Sequence, residues 1–309
     1  MRSTVRGIAA LLLTLASMLP CALSARAASA PKDMHIEADG LWLRLRERVD
    51  PAAAAPPATA VLFVHGAVFP GVPTFDRDAA DSWLAAALAA GLDPYLLDLD
   101  GYGESMPPRG RDVCSLPRAV ADVAAAVAAL ARSHPGGVDV VGYDYGADVA
   151  AAYAAGTPVT KLVLVAPLLA PDALEDQTVL TAPLLRAWLG SRVPAAVAER
   201  AVTMALLGTR DAGLRTPPAL VVPAGVFASL VSPPISPAML DSISAPTLLV
   251  RGRSDAVFDE ADARELLGGA PRVRLLLVDG DHRLPWEAGG VEAAREIATF
   301  LSTTGTPVH

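Results

Sequence analysis

Cysteine is nearly absent: the chain has only two, Cys21 and Cys114. That excludes a disulfide framework or a cysteine-built metal site, so the fold must rest on packing, and neither a metal nor a cofactor is expected. Charge is also sparse, at 19% of residues, and acids outnumber bases for a formal net charge of -8. An acidic surface argues against nucleic acid as a partner. The longest uninterrupted apolar stretch falls short of the roughly 20 residues that span a bilayer. No internal repeat is visible, and no low-complexity tract beyond an abundance of alanine. With 52% apolar residues over 309 positions, the chain has material for a sizeable core and lies far from the disordered class.

Residues 1–27 read as a secretory signal. Arg2 and Arg6 form a basic start, Gly7 to Leu19 is apolar, and Ala25-Arg26-Ala27 offers a small-x-small cleavage site. Cleavage is expected after Ala27, because a cut after Ala30 would leave Pro31 at the new terminus. Lipid attachment at Cys21 fits poorly, since Met18-Leu19-Pro20 replaces the small residues expected before a lipidated cysteine. The expectation is export, to the periplasm or outside the cell, with no stable membrane span after processing. Loss of Arg2, Arg6 and Arg26 makes the mature chain more acidic still.

Two strand-like runs open the remainder, Met34 to Glu37 and Leu41 to Val49, the second alternating Leu41, Leu43, Leu45 against Trp42, Arg44, Arg46. Solid apolar strands then alternate with helical patterns: Ala60 to Val64, Asp81 to Ala90, Pro94 to Leu99, a helix opened by Ser115, Val138 to Val141, Ala147 to Ala155 and Lys161 to Val165. Such a series specifies a parallel sheet with right-handed crossovers and helices on both faces. The alternation lapses in a proline-rich stretch from about Pro171 to Ser242, where the apolar pieces look like short helices. It resumes at Thr247 to Val250, Glu260 to Leu267, Val273 to Val278 and Val291 to Leu301. The expected organisation is a core of residues 28–170 and 243–309, interrupted by a helical lid at 171–242.

The strongest local signal is the strand Val138 to Val141 running into Gly142-Tyr143-Asp144-Tyr145-Gly146 and directly into a helix. A nucleophile elbow has this form: its central residue sits on a strained strand-to-helix turn, and flanking glycines avoid collision. The turn resembles that of the α/β-hydrolase fold family, and the chain order agrees. The resemblance implies an acid after the seventh strand and a histidine after the eighth. Asp255 follows Thr247 to Gly252, and His282 follows Val273 to Val278, with Asp281 as a second choice for the acid. His65-Gly66-Ala67 resembles the family's oxyanion turn, so the backbone N–H groups of Ala67 and Tyr145 are the expected oxyanion donors. Asp98 to Ser105 resembles its Gly-x-Gly-x-Ser loop, and His65 is expected to be structural.

An aspartate at the elbow narrows the chemistry. Carboxylate attack on an ester or amide gives an anhydride that reverts, whereas attack on sp3 carbon displaces a leaving group and leaves an alkyl ester. Water activated by His282, itself oriented by Asp255, would hydrolyse that ester. The resemblance is therefore to the aspartate-nucleophile branch, which acts on epoxides or alkyl halides, with a small hydrophobic substrate expected and epoxide slightly favoured. The sequence departs from that branch in three ways: no tyrosine lies in the lid, Tyr145 stands where tryptophan often follows the nucleophile, and the arginine pair that fluoroacetate-type dehalogenases carry shortly after the nucleophile is absent. Tyr102, Tyr145 and the lid residue Trp188 are the candidates for reaching a bound group. The alternatives are a non-hydrolytic or lyase-like protein of the same fold, or an atypical esterase, with Asp144 acting as a base or ligand-binding group.

Overall fold

The computed structural model describes residues 29–51, 56–78, 81–105, 113–168, 178–229, 235–268, 270 and 272–303. The expected signal segment, 1–27, lies outside the described residues. The chain starts as an antiparallel hairpin of β1 (Ala30–Ala38) and β2 (Leu41–Val49). Asp39 and Gly40 make the turn with φ of 49° and 78°, the paired positive values that a tight hairpin of right-handed twist demands.

The chain continues through β3 (Ala60–Val64), α1 (Gly71–Phe75), α2 (Trp83–Ala89), β4 (Asp93–Leu97), α3 (Leu116–Ala131), β5 (Val138–Tyr143), α4 (Tyr145–Gly156) and β6 (Leu162–Val165). A separate two-stranded ribbon, β7 (Thr178–Thr181) and β8 (Ala219–Val222), follows with α5 (Ala182–Leu189) and α6 (Ala195–Leu207) against it, while α7 (Ala224–Ser229) packs on α3 and α8 (Pro237–Ser242) on α4. β9 (Thr247–Gly252), α9 (Glu260–Gly268), β10 (Val273–Val278) and α10 (Gly289–Ser302) complete the chain. The main sheet has eight strands in the order β1-β2-β4-β3-β5-β6-β9-β10. It is parallel from β4 to β10, while β2 pairs antiparallel with both β1 and β4.

Solid apolar strands are what such a sheet requires, since both its faces are covered. Leu62 and Val64 pack with Val123 of α3, Val149 of α4 and Leu266 of α9, and Val61 and Phe63 pack with Leu84 of α2 and Ile297 of α10. The segment between β6 and β9 joins the second of these layers through Leu185, Leu189 and Val202. It is not purely helical, because β7 and β8 pair from Thr178↔Val222 to Thr181↔Ala219. Short apolar runs do not distinguish strand from helix by pattern, and these partners are far apart in sequence.

The alternation in β2 also needs correcting. Arg44 and Arg48, on its polar face, are buried rather than solvated. Arg44 grips Asp98 at the end of β4 with Nε at 2.9 Å and Nη2 at 2.6 Å, and Arg48 holds Asp76 at 2.7 Å. Asp98 additionally accepts the amides of Gly71 and Glu104, and its carbonyl accepts the Ser105 hydroxyl at 2.6 Å. The Gly-x-Gly-x-Ser loop is thereby pinned to the sheet around one buried ion pair. Arg44→Ala would leave that carboxylate buried without its cation, and a loss of about 3 kcal/mol in urea unfolding is expected; a change below about 1 kcal/mol, the range of exposed pairs, would show that the pair is not structural.

Candidate active site

β5 ends at Tyr143 and α4 begins at Tyr145, leaving Asp144 alone between them. Its backbone sits at φ 54°, ψ -127°, a conformation that a side chain larger than glycine adopts only under strain of about 1–3 kcal/mol. The amide of Asp144 donates to Val165 on β6 at 3.0 Å, and its carbonyl accepts the Ala147 amide at 2.9 Å, so neighbouring elements fix the turn. The flanking glycines are required by contact: a Cβ on Gly142 would run into the backbone of Gly146, and one on Gly146 into the carbonyls of Val64 and His65. The helix start can then lie directly on the end of β3.

This turn presents the Asp144 carboxylate to two groups from other parts of the chain. The Ala67 amide, just past β3, donates to Oδ1 at 2.6 Å. Nε2 of His282, past β10, lies 2.9 Å from Oδ2, and its Nδ1 lies 3.1 Å from Oδ2 of Asp255, past β9. Residues 67, 144, 255 and 282 thus converge in one line of contacts. Asp144 and His282 are each 4% exposed and Asp255 is 2% exposed. Burial alone would lower the His282 pKa, but hydrogen bonds to Asp144 and Asp255 and the charges of both carboxylates outweigh it and raise it to about 9. The ring is an imidazolium at neutral pH, donating to one carboxylate on each side.

Asp255 is held for this task. Its Oδ1 accepts the amides of Val257 and Phe258, each at 2.9 Å, which leaves Oδ2 for His282. Buried Arg251 donates to the carbonyls of Asp255 and Phe258 and closes the loop. Asp281, the second choice for the acid, is occupied elsewhere: it accepts the amide and guanidinium of Arg283 at 2.7 and 2.8 Å. His65 bonds backbone on both sides, with Nδ1 2.7 Å from the Gly66 carbonyl and the Leu99 amide donating to Nε2 at 3.1 Å. Burial lowers its pKa and keeps it neutral.

The aromatic candidates are placed differently from one another. Tyr145 is the first residue of α4, so its amide lies at the positive end of the helix dipole, but its phenol donates to the Cys114 carbonyl at 2.8 Å. The Tyr102 phenol donates to the Ala67 carbonyl at 2.5 Å, and its ring packs on His65. Both side chains are buried in the core, so the hydroxyl hydrogens that were candidates for a leaving group have backbone partners instead. Trp188, on α5, lies against Phe69 and Trp286, with the Arg283 guanidinium 6.0 Å over its ring, beside the His282 loop. Tyr143 and Arg251 were not foreseen as site residues. Tyr143 donates to the His282 carbonyl at 3.0 Å, and its ring lies tilted against that of His282 with centroids 5.9 Å apart. The only signals were a bulky aromatic inside the elbow and a charged residue ending an apolar strand.

The raised His282 pKa makes stability depend on pH with a definite sign. The unfolded ring titrates near 6.5 and the folded one near 9, so the imidazolium's contribution is complete below pH 6.5 and is lost as pH rises through about 9. Urea unfolding should show a loss on the order of 3 kcal/mol across that window, and His282→Gln should remove most of the slope. A slope unchanged in the variant would contradict the placement of the imidazolium between two carboxylates.

The chain matches the Alpha/beta hydrolase family over residues 61–298. A search of curated proteins finds no match to it. Among solved structures it is similar to a thioesterase domain from the curacin biosynthetic pathway, at 18% identity and TM-score 0.66, over 89% of this chain and 100% of that one. It is similar to CarC, a serine hydrolase involved in carbazole degradation, at 17% identity and TM-score 0.67, over 88% and 99%. A hydrolase from Pseudomonas aeruginosa PA01 aligns at 20% identity and TM-score 0.62, over 89% and 100%. Identities this low speak to the fold, while the family match runs from β3 into α10 over most of the sequence. The chain therefore belongs to the alpha/beta hydrolase family of enzymes.

Proposed function

We propose that the protein is an exported hydrolase in which Asp144 attacks an sp3 carbon of a small hydrophobic substrate, an epoxide in preference to an alkyl halide. The observation that carries this reading is the division of labour between the two oxygens of Asp144. Oδ1 rests on the Ala67 amide and Oδ2 faces His282. A serine-type elbow would place one oxygen here and leave the amide for substrate. Here the amide is already on the carboxylate, which suits Oδ1 to become the carbonyl oxygen of an enzyme ester.

The steps follow from that placement. Oδ2 forms a bond to carbon as the carbon–leaving-group bond breaks, and the charge of Asp144 disappears. His282 then loses one of the two anions that raise its pKa, releases its proton to solvent and becomes neutral, as a general base must be. It takes a proton from water; the hydroxide adds to Cγ, and the negative charge on Oδ1 is held by the Ala67 N–H. Collapse breaks the Cγ–Oδ2 bond, and the departing alkoxide takes the proton from His282. The product leaves with an oxygen from the enzyme, and Asp144 regains one from water, its carboxyl proton passing to His282 to restore the imidazolium. Asp255 keeps the imidazole oriented throughout.

A second reading has one observation in its favour: an imidazolium beside a carboxylate is also a proton-transfer pair. Asp144 would then accept a proton without forming a bond to carbon, as in a lyase-like or general-base esterase reaction. Trapping separates the two. Incubated with 1,2-epoxyhexane or 1-bromohexane, the His282→Ala variant should accumulate an adduct on Asp144 in peptide mass spectra, because alkylation proceeds and hydrolysis slows by about 100-fold or more. Absence of an adduct with both compounds would remove the covalent reading.

A further inference from the structure

One acidic side chain beside the elbow has no part in the steps above. Asp148 lies in the first turn of α4, the helix that Asp144 caps. Helical side chains lean toward the N-terminus, which turns this carboxyl toward the end of the helix that Asp144 caps. It is wholly buried, and among the described residues neither of its oxygens makes a well-formed hydrogen bond, the Leu168 amide only approaching it. The other buried carboxyls near the site are paired: Asp98 with Arg44, and Asp255 with two amides and His282. An unpaired buried polar group costs several kcal/mol by order of magnitude, a cost that an apolar residue among the alanines of α4 would avoid.

The surroundings keep Asp148 uncharged. Burial and the negative charge of Asp144 push its pKa well above the usual carboxylate range, against the opposing influence of the Leu168 amide. The other charged groups on elements packed against α4 are engaged elsewhere. On α3, Arg118 holds Asp100, and Asp122 accepts the Asp100 amide; on β5, Asp139 is under the influence of Lys161; on α8, Asp241 pairs with Arg272. Strands β3 and β6 carry no charge. Meanwhile the hydroxyls of Tyr102, Tyr143 and Tyr145 donate to backbone carbonyls, and both ring nitrogens of His282 face carboxylates.

We propose that Asp148 is the acid that protonates the leaving oxygen, so that the site is built for an epoxide rather than a halide. This rests on the reading of Asp144 as nucleophile. As Oδ2 of Asp144 forms its bond to an epoxide carbon, the carbon–oxygen bond of the ring breaks and the oxygen takes the proton of Asp148. The result is a hydroxyalkyl ester on Asp144 and a carboxylate at Asp148. Hydrolysis of the ester consumes one water, gives a diol and yields one proton, which restores Asp148. A halide departs as an anion and needs no such proton.

The test compares two alkylating probes in the full chain carrying His282→Ala, with the adduct on Asp144 followed by mass spectrometry. Adding Asp148→Asn should slow labelling by 1,2-epoxyhexane by about 100-fold or more, the usual contribution of a general acid. Labelling by 1-bromohexane should change by less than about threefold, since that step needs no acid. Epoxide labelling by the Asp148 protein should also fall at high pH while bromide labelling does not. Unchanged epoxide labelling in D148N, or equal losses with both probes at an unaltered melting temperature, would overturn the role of Asp148. If D148N melts early, the pH comparison decides, and epoxide labelling that stays flat to high pH overturns it. Labelling by bromide alone in the Asp148 protein would also overturn it while leaving Asp144 as nucleophile. No labelling of Asp144 by either probe would remove the nucleophile reading, and this proposal with it.

Discussion

The backbone of Asp144 is the constraint on which the rest of the site depends. A left-handed residue between a strand and a helix projects its side chain off the end of the sheet, and the geometry holds only because β5, α4 and the end of β3 approach to backbone contact. Given that approach, the Ala67 amide meets Oδ1 and the ends of β9 and β10 deliver Asp255 and His282 to the other oxygen. The cost of the strained turn is met by the sheet itself: the Asp144 amide is bonded to β6, and the strand that precedes it is fully buried. Function and fold share these contacts, so the elbow cannot be relaxed without disturbing the sheet.

Charge organises the second layer. Three ionisable side chains, Asp144, His282 and Asp255, are packed with almost no solvent contact, and they are tolerable there because a cation sits between two anions. The same arrangement couples the proton on His282 to the state of Asp144. On the proposed covalent route, an ester on Asp144 would remove one of the two anions that hold the proton, so the base would become available when there is an ester to hydrolyse. The positioning groups around the triad are ordinary backbone and buried side chains: Arg251 behind Asp255, Tyr143 behind His282.

Much of this was legible in the sequence, and the reasons differ by element. The buried strands and the crossover helices could be read because solid apolar runs and helical spacing are local patterns, and the elbow because its glycines are fixed by a local collision. Asp255 and His282 were identified from their places after successive strands in a family-like order. What depended on distant partners was not legible. The pairing of β7 with β8, the burial of Arg44 and Arg48, and the backbone carbonyls that take the Tyr102 and Tyr145 hydroxyls all involve residues widely separated in the chain. The tyrosines show the limit most plainly: proximity to Asp144 in sequence said nothing about where the hydroxyl pointed. The expected signal segment lies outside the described residues, and among those described no helix is long and apolar enough to cross a membrane.

The central claim, that Asp144 forms a bond to substrate carbon, is tested most directly by a single turnover of excess unlabelled enzyme with 1,2-epoxyhexane in oxygen-18 water. The covalent route predicts that the diol from this first turnover carries ordinary oxygen from Asp144, with the label appearing in the aspartate. Oxygen-18 in the first-turnover diol, with none in Asp144, would mean that water attacks the substrate directly and would contradict the account.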